Sequence, residues 1–197
     1  MSSSELKLLA KEQMKGRFWM LAIATLIIYA ITGASMPVFI GIIIMGPLMV
    51  GLAYYLLDFV ENKNSKGDQF EILFKGFTTN IATPIVAYVV SSIFIFLYTL
   101  LLVIPGIIKA LAYSMVSFII ADDPTIDAME ALRKSEDMMR GHKMRLFYIH
   151  LSFIGWYILS ALTFGILLIY VIPYQRLVVT NFYLDLRGTK KIVIEEN

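Results

Sequence analysis

The chain has no cysteine and only two histidines and two tryptophans among 197 residues. Without cysteine there is no disulfide, no thiolate metal site and no cysteine nucleophile, and nothing marks a redox compartment. Charge is scarce too: Asp, Glu, Lys and Arg make up 16% of the chain, against about 25% in a soluble domain. The net charge of +2 is too small to support a nucleic-acid partner. No glycine-rich phosphate loop, no Ser-His-Asp spacing, no His-x-x-x-His pair and no histidine cluster occurs. No catalytic residue, cofactor or metal site is therefore assigned, and the chain is expected not to be an enzyme.

Apolar side chain is what the sequence has in excess, at 58% of residues and a mean hydropathy of +0.74. A soluble fold of this length cannot hide that much apolar surface, whereas lipid removes the need to hide it. The apolar runs are roughly 18–57, 80–121 and 144–184. All 15 acidic residues lie outside these runs or at their edges, and so do 15 of the 17 basic ones. The charges fall into four clusters, at 1–17, 58–79, 122–145 and from Asp185 onward. Phe18 to Tyr29 followed by Thr32-Gly33-Ala34 has some features of a cleaved leader. The charged segment before it is long and reads as a helix of its own, so no cleavage is expected.

One crossing needs about 20 residues, so each run of roughly 40 is most simply two crossings with a nearly uncharged far turn. The expected fold is all-α: a polytopic membrane protein with about six membrane helices arranged as three hairpins. All charge clusters then lie on one side. The Lys and Arg count puts that side, with both termini, in the cytoplasm. Pro105-Gly106 and Pro173-Tyr174 are the expected outer turns, and the first turn lies between Gly33 and Pro47, with Pro37 or Gly46-Pro47 making it.

The same grammar recurs three times: an amphipathic segment, a basic-Gly pair, a long apolar helix, an aliphatic-Pro step and a shorter helix closing on Asp. The pairs are Lys15-Gly16, Lys75-Gly76 and Arg140-Gly141; Pro47, Pro105 and Pro173 follow 32, 30 and 33 residues later. Asp58, Asp122 and Asp185 close the units. A period near 60–65 residues suggests a threefold internal repeat, with units of about 1–60, 61–123 and 124–188 and a flexible tail at 189–197, all within one membrane domain, 1–197. Any three membrane hairpins would also show proline at turns and charge at ends.

The amphipathic segments are expected along the inner headgroup surface or against one another. Ser2-Ser3-Ser4-Glu5 has capping-box spacing and leads a stripe of Leu6, Leu9, Ala10 and Met14. Phe70, Leu73, Phe74 and Phe77 form a second stripe. The third starts from Asp123 as N-cap with Pro124 at the first helical position, and shows Ala128, Met129, Ala131, Leu132, Ser135, Met138 and Met139 on its less polar face.

"IPGIIKALAYSMVSFIIADDPTIDAMEALRKSEDMMRGHKMRLFYIHLSFIGW" followed by "GILLIYVIPY" resembles a family of integral membrane proteins, mostly of Gram-positive bacteria, known as a domain of unknown function. "SSSELKLLAKEQMKGRFW" is similar to that family's N-terminus. More distantly, the Pro-Gly helix with "EALRKS" and a basic-Gly looks like the non-catalytic membrane domain of some glycerophosphodiester phosphodiesterases. The resemblance implies a multi-helix membrane fold, no established activity and no functional residues to carry over.

Lys109 and Arg176 are the two bases inside apolar runs, four and three residues after Pro105 and Pro173. At the bilayer centre each would cost about 2.5–3.5 kcal/mol or more. With turns at the prolines, both fall in the first turn of a returning helix near the outer interface. There they serve either as snorkelling anchors or as a cation pair holding an anionic lipid headgroup. The first unit has no counterpart near Pro47. His150 lies within the fifth segment and is expected to hydrogen-bond to Ser152 or to a serine on another helix. Ser91 and Ser92 are expected to permit close helix approach, within a segment that also carries Tyr88, Tyr98 and Thr99. Asp122, Asp123, Asp127 and Glu130 could suggest a cation site, but helix capping and the nearby bases account for them. Membrane lipids are the expected partners, with another membrane protein or a second copy of the chain as further candidates. A small transporter for an anionic or amphipathic substrate is the alternative reading.

Overall fold

The computed structural model describes residues 1–34, 38–62, 68–78 and 80–188, with the backbone alone at 33, 34, 38–40 and 42. Pro37, Lys63, Lys66 and the tail 189–197 lie outside the described residues. The described chain is all-helical. Helix α1 spans Ser3–Met14, α2 Phe18–Ala34 and α3 Val38–Glu61; a 3-10 turn at Phe70–Phe74 leads into a single α-turn, α4, at Lys75–Thr78. Then come α5 Ala82–Leu101, α6 Val103–Ala112, α7 Val116–Asp122, α8 Ala128–Met138, α9 Lys143–Leu151, α10 Ile154–Leu162 and α11 Leu168–Arg187.

Four segments are long and apolar enough to cross a membrane: Ile43–Glu61, Ala82–Leu101, Val103–Asp122 and Lys143–Leu162. Helix α2 has 17 residues and α11 is more polar, and neither is among the four. The inside and outside of the bundle are unequal. Of the segment in α3, 67% is buried, against 11% of α5 and 22% of Lys143–Leu162. Helices α3, α7 and α11 thus form the centre, while α5 and α9–α10 turn broad aliphatic faces outward. In each pair the second helix is the inner one. Nor is it the shorter: α3 has 24 residues against 17 in α2.

The turns differ from the expected ones. Helix α5 passes into α6 through Leu102 alone, in extended conformation (φ −161°, ψ 144°). Pro105 is the third residue of α6, where its missing N–H costs nothing because the first turn's amides have no intrahelical partner. Gly106 has a packing role: a Cβ there would come within 2.0 Å of Thr99 Oγ1 on α5. Pro173 and Pro47 lie inside α11 and α3, so neither is a turn. The last turn comes earlier, at residues 163–167, where Phe164 (φ 51°) and Gly165 (φ 85°) are left-handed and Phe164 is 98% exposed. Proline marked these regions because it suits the first helical turn and bends, not because it forms the corner itself.

The amphipathic segments do not simply line a headgroup plane; each lies against one of the inner helices. Helix α1 crosses α11, and its Leu6, Leu9, Ala10 and Met14 are all buried. The capping box is present, with Ser2 Oγ accepting from Glu5 N–H and Glu5 accepting from Ser2 N–H. The 70–78 segment lies along α3, with Tyr55 stacked on Phe70. Helix α8 turns back along α7 and α5, and Ser135 joins it to the break between α6 and α7 by donating to Ala112 C=O (2.7 Å) and accepting from Met115 N–H (3.3 Å). Its N-cap is Asp127, which accepts from Met129 N–H at 2.8 Å; Asp123 instead closes a short turn onto Thr125. Met129 is exposed.

Residues from distant charge clusters meet at one end of the bundle. Arg187, at the end of α11, donates to Asp122 at the end of α7 (2.7 Å) and to Glu61 at the end of α3. The Met1 ammonium and Arg145 both hold Asp185. Burial alone would raise the Asp185 carboxyl, but the hydrogen bonds from Arg145 and the N-terminus hold it below its ordinary value. A depressed folded-state carboxyl contributes stability above its unfolded value, about pH 3.9, and that stability is lost as pH falls through the folded value. The thermal midpoint in detergent is therefore expected to drop on acidification from about pH 5 towards 3. Asp185→Asn should be less stable than wild type at pH 7 and should show a shallower acid slope. Parallel slopes for the two proteins would mean that this cluster does not hold the end of the bundle together.

Candidate functional site

Within the bundle lies a cavity of about 500 Å³ with walls from α2, α3, the α6–α7 region, α9, α10 and α11. All three helix pairs contribute to it. One wall is apolar, with Met49, Leu52, Ala53 and Leu56 of α3. The facing side is polar: Arg176 and Gln175 from α11, Tyr29 from α2, Tyr157 from α10 and His150 from α9. Ser114 and Ser117 add hydroxyls beside α7.

Arg176 is the ninth residue of the twenty in α11, and so near the middle of that helix, not in its first turn as expected. At 1.5 Å per residue it sits about 12 Å from one end and about 16 Å from the other. Its guanidinium donates to the Tyr29 hydroxyl at 2.7 Å and approaches the same ring at 5.8 Å. Among the described residues no carboxylate lies within 4.0 Å of it. A guanidinium carries five N–H donors, and Tyr29 engages one. Beside it, Tyr157 donates to the Gln175 carbonyl oxygen, which leaves the Gln175 amide N–H₂ as a further donor group.

His150 also borders this cavity, but its partner is neither Ser152 nor a serine on another helix. Its Nδ1 lies 2.9 Å from Leu146 C=O in its own helix. A carbonyl can only accept, so this contact requires the tautomer with the proton on Nδ1. Ser152 bonds back to Ile149 C=O.

Lys109 is elsewhere. It is the seventh residue of α6, and its ammonium donates to Glu136 on α8 at 2.8 Å, between the rings of Tyr98 and Tyr113. That hydrogen bond holds the Glu136 carboxyl below its ordinary range. The two cations of the apolar runs therefore do not share a site: one is neutralised by an acid and the other borders a cavity. Sequence spacing could not separate them, because Glu136 reaches Lys109 only when α8 folds back along α7. The residues that reasoning missed are Tyr29, Gln175 and Tyr157, which carry no charge and no motif. Their one signal is polarity at mid-run, in "IIYAI", "GWYIL" and "PYQR".

Three of the four acids weighed as a cation site go to different partners: Asp122 to Arg187 and Tyr183, Asp123 to Thr125, Asp127 to its own helix start. Among the described residues no group of three or more His, Asp or Glu side chains is placed to hold a metal ion. Ser91 bonds back to Tyr88 C=O, and Ser92 is exposed, so it mediates no close approach.

The fold and cavity define a class: a chain all-helical over its described residues, with four helices long and apolar enough to cross a membrane and an open cavity of mixed polar and apolar lining between them. The chain belongs to the family described as Protein of unknown function (DUF975), whose sequence model matches residues 79–190, more than half of its length. The match takes in α5 to α11 and leaves α1 to α4 outside it. No curated protein and no solved structure matches the chain.

Proposed function

We propose that the chain is a single integral domain, 1–197, of the bacterial cytoplasmic membrane. It crosses six times as three hairpins, has both termini in the cytoplasm, and acts as a non-enzymatic, lipid-associated or partner-binding component. The observation that carries this reading is the meeting of Arg187 with Glu61 and Asp122, and of Met1 and Arg145 with Asp185, at one end of an otherwise apolar bundle. The same geometry supports a threefold repeat with units of 1–60, 61–123 and 124–188, because α3, α7 and α11 play the inner role in turn.

The absence of native cysteine makes single-cysteine labelling direct. In intact cells Phe164→Cys should react with a membrane-impermeant maleimide, and Arg140→Cys, on the charged end, only after lysis. Labelling of both from one side would overturn the crossing pattern; the reverse accessibility would overturn the orientation.

A second reading is a small transporter for an anionic or amphipathic substrate. What favours it is that the cavity is built from all three helix pairs, as substrate sites at repeat interfaces are. Flux that depends on Arg176 in reconstituted vesicles would select it over a static lipid-binding role.

A further inference from the structure

We propose that the chamber around Arg176 holds the phosphate of one anionic phospholipid, whose acyl chain lies in the groove between α2 and α11. This rests on the membrane-embedded reading above and names the ligand class of its cavity.

Three observations converge. Arg176 is a mid-helix cation on a segment flanked by apolar helices, yet no described carboxylate neutralises it. Lys109, the other such cation, has Glu136. A permanently charged side chain at that depth is costly unless it meets counter-charge or water. Second, the groups beside Arg176 include donors and amphoteric hydroxyls: the Gln175 amide, Tyr29 and Ser117, whereas Ser114 donates its hydroxyl to Leu111 C=O. A guanidinium fork with neighbouring hydroxyls suits a tetrahedral phosphate ester, which accepts at several oxygens. Third, Tyr29 also borders a second, almost wholly apolar groove of about 480 Å³ walled by Leu26, Ala30, Ile169, Ile172 and Pro173. The polar chamber and the apolar groove thus share one residue, which is the layout an amphiphile requires: head on Arg176, chain along α2 and α11. Free phosphate would use the chamber and leave the groove without function. A neutral lipid would use the groove and leave the cation without a partner.

Native mass spectrometry of the whole chain, titrated in detergent, tests this with four probes: phosphatidylglycerol, phosphatidylcholine, diacylglycerol and inorganic phosphate. One phosphatidylglycerol should bind at least about tenfold more tightly than phosphatidylcholine or diacylglycerol, and inorganic phosphate should not displace it. Arg176→Gln should weaken phosphatidylglycerol by about tenfold or more, the loss of one charge-assisted hydrogen-bonded contact. Arg176→Lys should recover part of the affinity, which shows that a folded chamber is present. Ile172→Trp, filling the groove, should weaken the lipid while leaving weak phosphate binding unchanged. Lys109→Gln should leave phosphatidylglycerol binding unchanged. Equal binding by wild type and Arg176→Gln, equal binding of the zwitterionic lipid, or full competition by phosphate would each overturn the proposal. Cysteine labelling as expected together with lipid binding independent of Arg176 would sink the site and spare the topology. Altered labelling would sink the topology itself.

Discussion

Substituting Gly51 with valine is expected to leave no stably folded protein. A Cβ at Gly51 would lie 1.8 Å from the carbonyl oxygen of Leu73 and 2.7 Å from its carbonyl carbon. Both atoms are backbone, so no rotamer change relieves the overlap; α3 and the 70–78 segment would have to separate. Gly76 of the same segment meets Pro47 C=O and the Gly51 N atom of α3, so the separation would propagate along the contact. Overpacking a well-packed interior costs about 1–3 kcal/mol where side chains can adjust. Here they cannot, and the loss should reach or exceed about 3 kcal/mol, a large part of the roughly 5–15 kcal/mol that holds a typical fold. Gly155→Ala is the control. Nothing lies within 4 Å of a Cβ there, and the residue is inside α10, so alanine should be neutral or stabilising by up to about 1 kcal/mol. The check is monodisperse yield from size-exclusion chromatography in one detergent, followed by thermal unfolding. A Gly51→Val protein that elutes and melts like wild type would mean that α3 and the 70–78 segment are not in close contact.

That glycine also shows where sequence reasoning stopped. The all-helical fold, the presence of several helices apolar enough to cross a membrane and the buried stripe of α1 were legible, because each depends on composition or on a period of 3.6 residues. The capping box at Ser2 was legible for the same reason: both halves of the motif lie within four residues. What escaped was whatever depends on which helices touch. Gly46 and Gly51 carry no periodic signal that tells close approach from flexibility. Proline favours turns and so points to corners at Pro105 and Pro173, whereas the chain turns three residues earlier at Leu102 and between 163 and 167. That error carried Lys109 and Arg176 to the outer interface. Correcting the corner moves Arg176 towards mid-helix, where its charge needs a different explanation. The cavity itself was not legible, since Tyr29, His150 and Gln175 come from three distant parts of the chain.

Removing the Glu136 carboxylate should destabilise the fold more than removing both it and the Lys109 ammonium. Lys109 has 19% side-chain exposure and Glu136 34%, so the pair lies between a solvated ion pair and a fully buried one. Solvated pairs contribute about 0–1 kcal/mol, while stripping one partner from a buried pair costs about 3–5 kcal/mol. Glu136→Leu should therefore cost about 1–3 kcal/mol, because it leaves an ammonium between Tyr98 and Tyr113 without its counter-charge. The ring faces offset part of this, by about 0.5–2 kcal/mol. In Lys109→Met/Glu136→Leu neither charge remains, the methionine keeps most of the lysine stem's packing, and α6 and α8 face each other with apolar surface. The double variant should recover to within about 1 kcal/mol of wild type. Unfolding in detergent is often irreversible, so midpoints are compared at one scan rate, or half-lives at one temperature. A double variant as unstable as the sum of its singles would show that the two side chains act independently and that α8 is held to α6 by other contacts, Ser135 first among them.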